Sequence, residues 1–136
     1  MYETFDHTAD LGLRVRAASL NQLFSEAGEA LFASIVEEVQ SILPQEHFEI
    51  EIAGEDREYL FFDWLRELLY RFDAEHWLFC QFRVEVHEKG LKASVAGEVL
   101  DPERHLLSHE VKAITYHGLR VETCEEGWLA EVIIDI

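Results

Sequence analysis

Phe82-Arg83-Val84-Glu85-Val86-His87-Glu88-Lys89-Gly90-Leu91-Lys92-Ala93-Ser94-Val95 decides the fold. Phe82, Val84 and Val86 alternate with Arg83, Glu85 and His87, the period of a strand with one buried face. Glu88-Lys89-Gly90 supplies a turn, and Leu91, Ala93 and Val95 carry the alternation back. Downstream, Gly118 and the pair Glu126-Gly127 punctuate two more strands, around 119–123 and 128–135. Upstream, the period changes. From a start near Asp56, Leu60, Phe61, Trp64, Leu65, Leu68, Leu69 and Phe72 form a wide apolar stripe at helical spacing, suited to lying flat on a sheet. Phe48, Ile50 and Ile52 alternate with Glu49 and Glu51, a strand over 47–53. A first helix lies nearer the start. Ser19 and Gln22 have capping-box spacing, and Leu20, Leu23, Phe24, Ala27, Leu31 and Ile35 line one face, with Pro44 beyond its end. The opening reads as strand, turn, strand, with the polar His7-Thr8-Ala9-Asp10 leading into the alternating residues Leu11 to Arg16. Two helices set apart from a run of hairpins predict an α+β protein: a two-layer sandwich of a mixed, mostly antiparallel sheet of about six or seven strands with two main helices.

The 136 residues suit one domain, 1–136, with no linker, repeat or low-complexity tract. Hydrophobic residues make up 49%, too many for disorder. No apolar run approaches the ~20 residues needed to span a bilayer. The start, Met1-Tyr2-Glu3-Thr4-Phe5-Asp6, lacks a basic region and an apolar stretch, so a cytoplasmic protein is the expectation. Twenty-eight acidic residues face 11 basic ones, a net charge of -17. Phosphate neutralisation by Lys and Arg supplies most nucleic-acid affinity, so direct, stable nucleic-acid binding is not expected. Adsorption to anionic membranes is disfavoured likewise. The charge suits solubility, a divalent cation or a basic protein partner.

Familiar catalytic signatures are missing: no phosphate-binding loop, no Gly-x-Gly-x-x-Gly and no Gly-x-Ser-x-Gly. Cys80 and Cys124 stand apart and read as reduced cysteines in or near the core. His105 and His109 are four residues apart, with His117 following. Asp101-Pro102-Glu103-Arg104 reads as a loop, however, which gives no helical face for a zinc pair. Carboxylates draw more attention. Asp10 stands at the mouth of a strand, and Asp135 is penultimate, beside Ile136. Two carboxylates, the terminal carboxylate of Ile136 and backbone oxygens suit a hard cation, provided the last strand ends near the first loop. Acidic residues at strand ends are otherwise ordinarily solvated. Lys112 is one of three lysines. A strand there puts it on a face with Ile114 and Tyr116, where its stem covers apolar surface or its charge meets a carboxylate or a partner.

These same residues carry a resemblance. Tyr2-Glu3 with Asp6-His7-Thr8-Ala9-Asp10, then Trp64-Leu65-Arg66-Glu67-Leu68-Leu69, then Val111-Lys112-Ala113-Ile114-Thr115-Tyr116-His117, then the ending Val132-Ile133-Ile134-Asp135-Ile136, resemble the archease family in the family's order and over nearly the whole chain. Phe61-Phe62 stands where relatives often carry smaller aliphatics, and Arg66 where Asn is common, both away from the proposed site.

The resemblance implies a non-catalytic partner protein of the tRNA-splicing RNA ligase, which joins 2′,3′-cyclic phosphate or 3′-phosphate RNA ends to 5′-hydroxyl ends. That ligase attaches GMP to its own histidine using GTP and manganese. Archeases speed this guanylylation, permit multiple turnovers and broaden nucleotide use. By similarity Asp10, Asp135 and Ile136 bind a divalent metal ion, calcium by similarity, with magnesium or manganese also suited. Lys112 falls on a lysine important for activation, with His7 beside it as a further candidate. The competing readings are a metal-dependent phosphoester hydrolase, with His7 as the nearest base to Asp10, and a chaperone-like protein binder with an exposed apolar patch.

Overall fold

The computed structural model describes residues 1–136, as eight strands and two α-helices. Strands β1 (Tyr2–His7) and β2 (Asp10–Ala17) form the opening hairpin. Helix α1 (Leu20–Ile35) follows, then a short 3-10 turn at Val39–Ser41 and strand β3 (Glu46–Ala53). Helix α2 (Arg57–Glu75) precedes β4 (Trp77–His87) and β5 (Gly90–Val99). An irregular segment leads to the two-residue strand β6 (Ala113–Ile114), and β7 (Arg120–Cys124) and β8 (Gly127–Asp135) close the chain.

The α+β reading holds, with a correction to the sheet. Every pairing is antiparallel, and the strands divide into two sheets. One has the order β1-β2-β8-β6 with β7 also on β8, and the other has the order β3-β5-β4. Helix α1 explains the division. Its apolar surface wraps well beyond one stripe, burying Ala30, Phe32 and Ser34 as well as Leu23, Phe24, Ala27, Leu31 and Ile35. Such a helix needs apolar neighbours on more than one side, and α1 contacts β2 and β8 of the larger sheet and β4 of the smaller. Phe32 meets Phe79 edge-on with ring centroids 5.7 Å apart. The indole N–H of Trp64 donates to the Phe24 carbonyl at 2.9 Å, locking α2 to α1. Neither helix is long and apolar enough to cross a membrane.

Local signals landed closely. Ser19 caps α1 and its hydroxyl accepts from the Gln22 N–H at 3.2 Å, while Asp56 caps α2 by accepting from the Tyr59 N–H at 3.0 Å. Ser19→Ala is expected to cost about 1 kcal/mol, seen as a lower denaturant midpoint at unchanged slope. An unmoved midpoint would show that the hydroxyl contributes nothing. Gly90 sits at φ 149° in the β4–β5 turn, where an added Cβ would lie 2.0 Å from the Ile52 carbonyl oxygen. Strand β4 starts earlier than the alternation suggests, because a bulge between Phe79 and Gln81 inserts one residue against β5. That bulge lets consecutive Leu78 and Phe79 both be buried. Cys80, at the bulge, packs on the core edge. Cys124 is exposed at the β7–β8 turn, so the reading of a cysteine in or near the core holds for Cys80 and not for Cys124.

Candidate functional site

Thr8 and Ala9 make a two-residue turn between β1 and β2, with Thr8 at φ 56°. A β-branched residue there is strained. The turn holds His7 opposite Asp10. On its other side β2 runs against β8, with Leu11 opposite Ile134. Asp10 and Asp135 each lie one residue past that last pair. Strand β6 reaches the same place from the other edge of β8, with Ala113 opposite Asp135 and the Lys112 N–H donating to the Asp135 carbonyl at 2.7 Å. The last strand therefore does end at the first loop, and Asp10, Asp135, Ile136, His7 and Lys112 gather at one end of the larger sheet.

Asp10 and Asp135 are both half-buried. The His7 Nδ1 lies 3.9 Å from Asp10 Oδ2, and the two side chains are 48% and 28% exposed. No Lys or Arg comes within 4.0 Å of either carboxylate. Farther along the same sheet Glu3 and Glu131 share Arg14, Arg16 and Arg120. No three His, Cys, Asp or Glu side chains converge to hold an ion. The sheet end instead offers two side-chain carboxylates and the oxygens of Ile136, an oxygen donor set of the kind hard divalent cations take, with water completing the shell. In chemical type, these residues fit such an ion.

Lys112 departs from the apolar-face reading. Pairing here covers two residues, and Lys112 is exposed at the strand's mouth while Ile114 is buried. Lys112 lines a groove of about 830 Å³ between α2, β3 and β6, with Glu51, Asp63, Arg66, Glu67 and Asp73 around it. Desolvation raises the Asp73 carboxyl above its ordinary range, and His76 offsets part of that rise. The acidic wall was readable: Asp63, Glu67, Tyr70 and Asp73 recur at helical spacing on the side of α2 away from the apolar stripe. The histidine trio does not assemble. His105 is buried, with Nδ1 accepting from the Asp101 N–H at 2.9 Å and Nε2 lying 3.0 Å from Glu98, whereas His109 and His117 are exposed.

Residues 2–136 match the model of the archease protein family (MTH1598/TM1083). The chain belongs to the archease family. Archease from Pyrococcus abyssi is 43% identical over 140 residues, covering 99% of this chain and 98% of its own. Among solved structures, protein 1598 of Methanobacterium thermoautotrophicum superposes with a TM-score of 0.85 at 33% identity, covering 99% of this chain and 98% of that one. An archease from Thermotoga maritima, described as a possible chaperone, shares the fold with a TM-score of 0.68 at 23% identity, over 100% of this chain and 98% of its own. Arg66 and Phe62, expected to lie away from the site, touch its surroundings. Arg66 lines the groove beside Lys112. Phe62 stacks on Tyr116, four residues beyond Lys112, with ring centroids 3.9 Å apart.

Proposed function

We propose that this archease activates the tRNA-splicing RNA ligase, raising ligase guanylylation and allowing multiple turnover in joining 2′,3′-cyclic phosphate or 3′-phosphate ends to 5′-hydroxyl ends. Within a chain of this family, the observation that carries the reading is that Asp10 and Asp135 lie at the same end of neighbouring strands with no Lys or Arg side chain in reach. Asp10, Asp135 and the oxygens of Ile136 would hold a divalent ion, calcium, magnesium or manganese. Such an ion supplies charge neutralisation of the kind phosphoryl transfer depends on. The chain's own groups do the rest. His7 steadies the Asp10 carboxylate. The backbone of Lys112 fixes the Asp135 carbonyl, and its ammonium reaches into the acidic groove toward the partner. The archease docks this end at the ligase's positively charged nucleotide site, so its net charge of -17 speeds encounter with the protein while keeping RNA away.

The test is labelling of the cognate ligase by GTP and manganese, with and without substoichiometric archease. Wild-type protein is expected to increase both the rate and the number of turnovers. Lys112→Ala is expected to lower stimulation several-fold while leaving the unfolding midpoint unchanged, since this side chain is exposed. Phosphoester turnover by the archease alone, with no effect on an otherwise active ligase, would replace this reading with the hydrolase.

A further inference from the structure

The mouth of α2 carries a second surface, away from the carboxylate end. Tyr59 and Tyr116 are 58% and 54% exposed. They meet edge-on with ring centroids 5.7 Å apart, and Tyr116 lies flat on buried Phe62. Around them opens a cavity of about 520 Å³, lined by Asp56, Glu58, Tyr59, Tyr116 and Leu119. Its walls are two aromatic rings, one aliphatic side chain and two carboxylates, with no cation.

The carboxylates keep capacity to spare. Asp56 uses Oδ1 to cap the Tyr59 N–H, and Glu58 uses Oε2 to accept from the Val121 N–H at 3.2 Å, which leaves one oxygen on each without a protein donor. The adjacent arginines point elsewhere. Arg57 lies over the Trp128 ring at 4.6 Å, and Arg120 is bound to Glu131 and Glu122. A cation from outside would complete the cavity. The chain shows the preferred shape of that cation in its own packing. Arg14 over Phe5, Arg57 over Trp128, Arg66 over Phe62 and Arg71 over Phe48 all place a guanidinium within 6.0 Å of a ring centre. A planar guanidinium can lie on Tyr59 or Tyr116 and donate sideways to Asp56 and Glu58, which a compact ammonium does less well.

We propose that the Tyr59–Tyr116 cavity, walled by Asp56 and Glu58, receives an arginine side chain from a basic segment of a protein partner. The charge of the walls selects a protein over a nucleic acid, because phosphates would have to pass the same two carboxylates in a chain of net charge -17. Tyr116 sits four residues along the chain from Lys112, so a partner touching the carboxylate end can also reach this cavity. The inference does not depend on that partner being the ligase.

The experiment titrates isotope-labelled full-length protein with a capped Gly-Gly-Arg-Gly-Gly peptide and follows amide and tyrosine-ring resonances. Saturating shifts confined to residues around Tyr59, Tyr116 and Leu119 are expected. Affinity should drop about five-fold or more in Tyr59→Ala, and also in Glu58→Gln, which keeps an acceptor for Val121 but loses the charge. The peptide with citrulline in place of arginine, equal in shape but neutral, should not saturate the site. Equal binding by the citrulline peptide, shifts scattered without saturation over the acidic surface, or the same shifts produced by a uridine trinucleotide would each overturn the proposal. Tyr59 is more than half exposed, so its variant is expected to keep the wild-type spectrum elsewhere.

Discussion

Asp135→Ala and Asp10→Ala are each expected to abolish stimulation of ligase guanylylation by the archease while the protein stays folded. The two carboxylates lie one residue past the last pair of the β2–β8 ladder, half-buried and without an arginine or lysine in reach. Two like charges at the same end of neighbouring strands repel, so removing one leaves stability unchanged within about 0.5 kcal/mol or raises it slightly. A side chain kept for packing would behave in the opposite way. Changes in groups that merely orient metal ligands cost roughly 10- to 100-fold, and loss of a ligand itself is expected to cost at least that in the archease concentration needed for half-stimulation. Because the carboxylates act as one unit, the double variant should be no worse than either single one. A second readout separates ion binding from ligase contact. Calcium that binds only the folded chain raises the unfolding temperature by mass action. That rise should appear in the wild type and vanish in both variants. Normal stimulation by both folded variants would sink the role assigned to this end of the molecule.

What the sequence could and could not disclose is clear from individual elements. Ser19, Asp56, the apolar stripe of α2 and the turn at Gly90 rest on local rules, in which neighbours within a few residues decide the outcome. These features were found where the pattern put them. The division into two sheets was not. Alternation reports which face a residue occupies and is silent on which strand lies alongside. Leu13 and Ala93 read alike in sequence yet belong to different sheets. The bulge at Cys80 was hidden for a related reason. It depends on Gly97, where a Cβ would come 1.8 Å from the Leu78 carbonyl oxygen, a contact formed only after β4 and β5 have paired.

The site divides in the same manner. Asp10 and Asp135 are 125 positions apart in the chain. Composition and spacing left them as two solvated strand ends, and only the resemblance to a family joined them as one site. Lys112 was noticed for its rarity, but the groove it enters depends on how α2 lies beside β3 and β6. The loop reading of 101–104 left its neighbouring histidines without a metal role but gave them no other, and His105 has both ring nitrogens engaged in holding the segment down.

That hold gives the larger stability prediction. Glu98, only 6% exposed, accepts from the Leu43 N–H at 2.7 Å, from Arg104 Nη1 at 3.0 Å and Nη2 at 2.5 Å, and from His105 Nε2 at 3.0 Å. Since His105 Nδ1 accepts from the Asp101 N–H, the ring proton is on Nε2, where it can donate to Glu98. Arg104 is the main reason the Glu98 carboxyl is pulled down from 4.5 to about 2. Burial opposes the shift, and the Leu43 N–H and His105 reinforce it. Removing one partner from a buried charged cluster costs about 3–5 kcal/mol. Arg104 is 40% exposed and can turn to water, so Glu98→Ala is expected near the lower end, about 3 kcal/mol, at neutral pH. The sign of the pH dependence follows from the depressed folded value. The Glu98 contribution is complete above 4.5 and is lost as pH falls from there toward about 2. The gap in stability between wild type and Glu98→Gln, which keeps an acceptor but no charge, should therefore shrink steadily below pH 4.5. A gap constant from neutral pH to about pH 3 would mean that shape rather than charge holds the cluster. The effect should also be felt along the chain. The same segment donates Ser108 and His109 N–H groups to the Ile35 and Ser34 carbonyls at the end of α1 and then leads into Lys112. Loosening at Glu98 should therefore raise amide exchange from Arg104 to His109 first, and carry the Lys112 backbone away from Asp135 only when those bonds open.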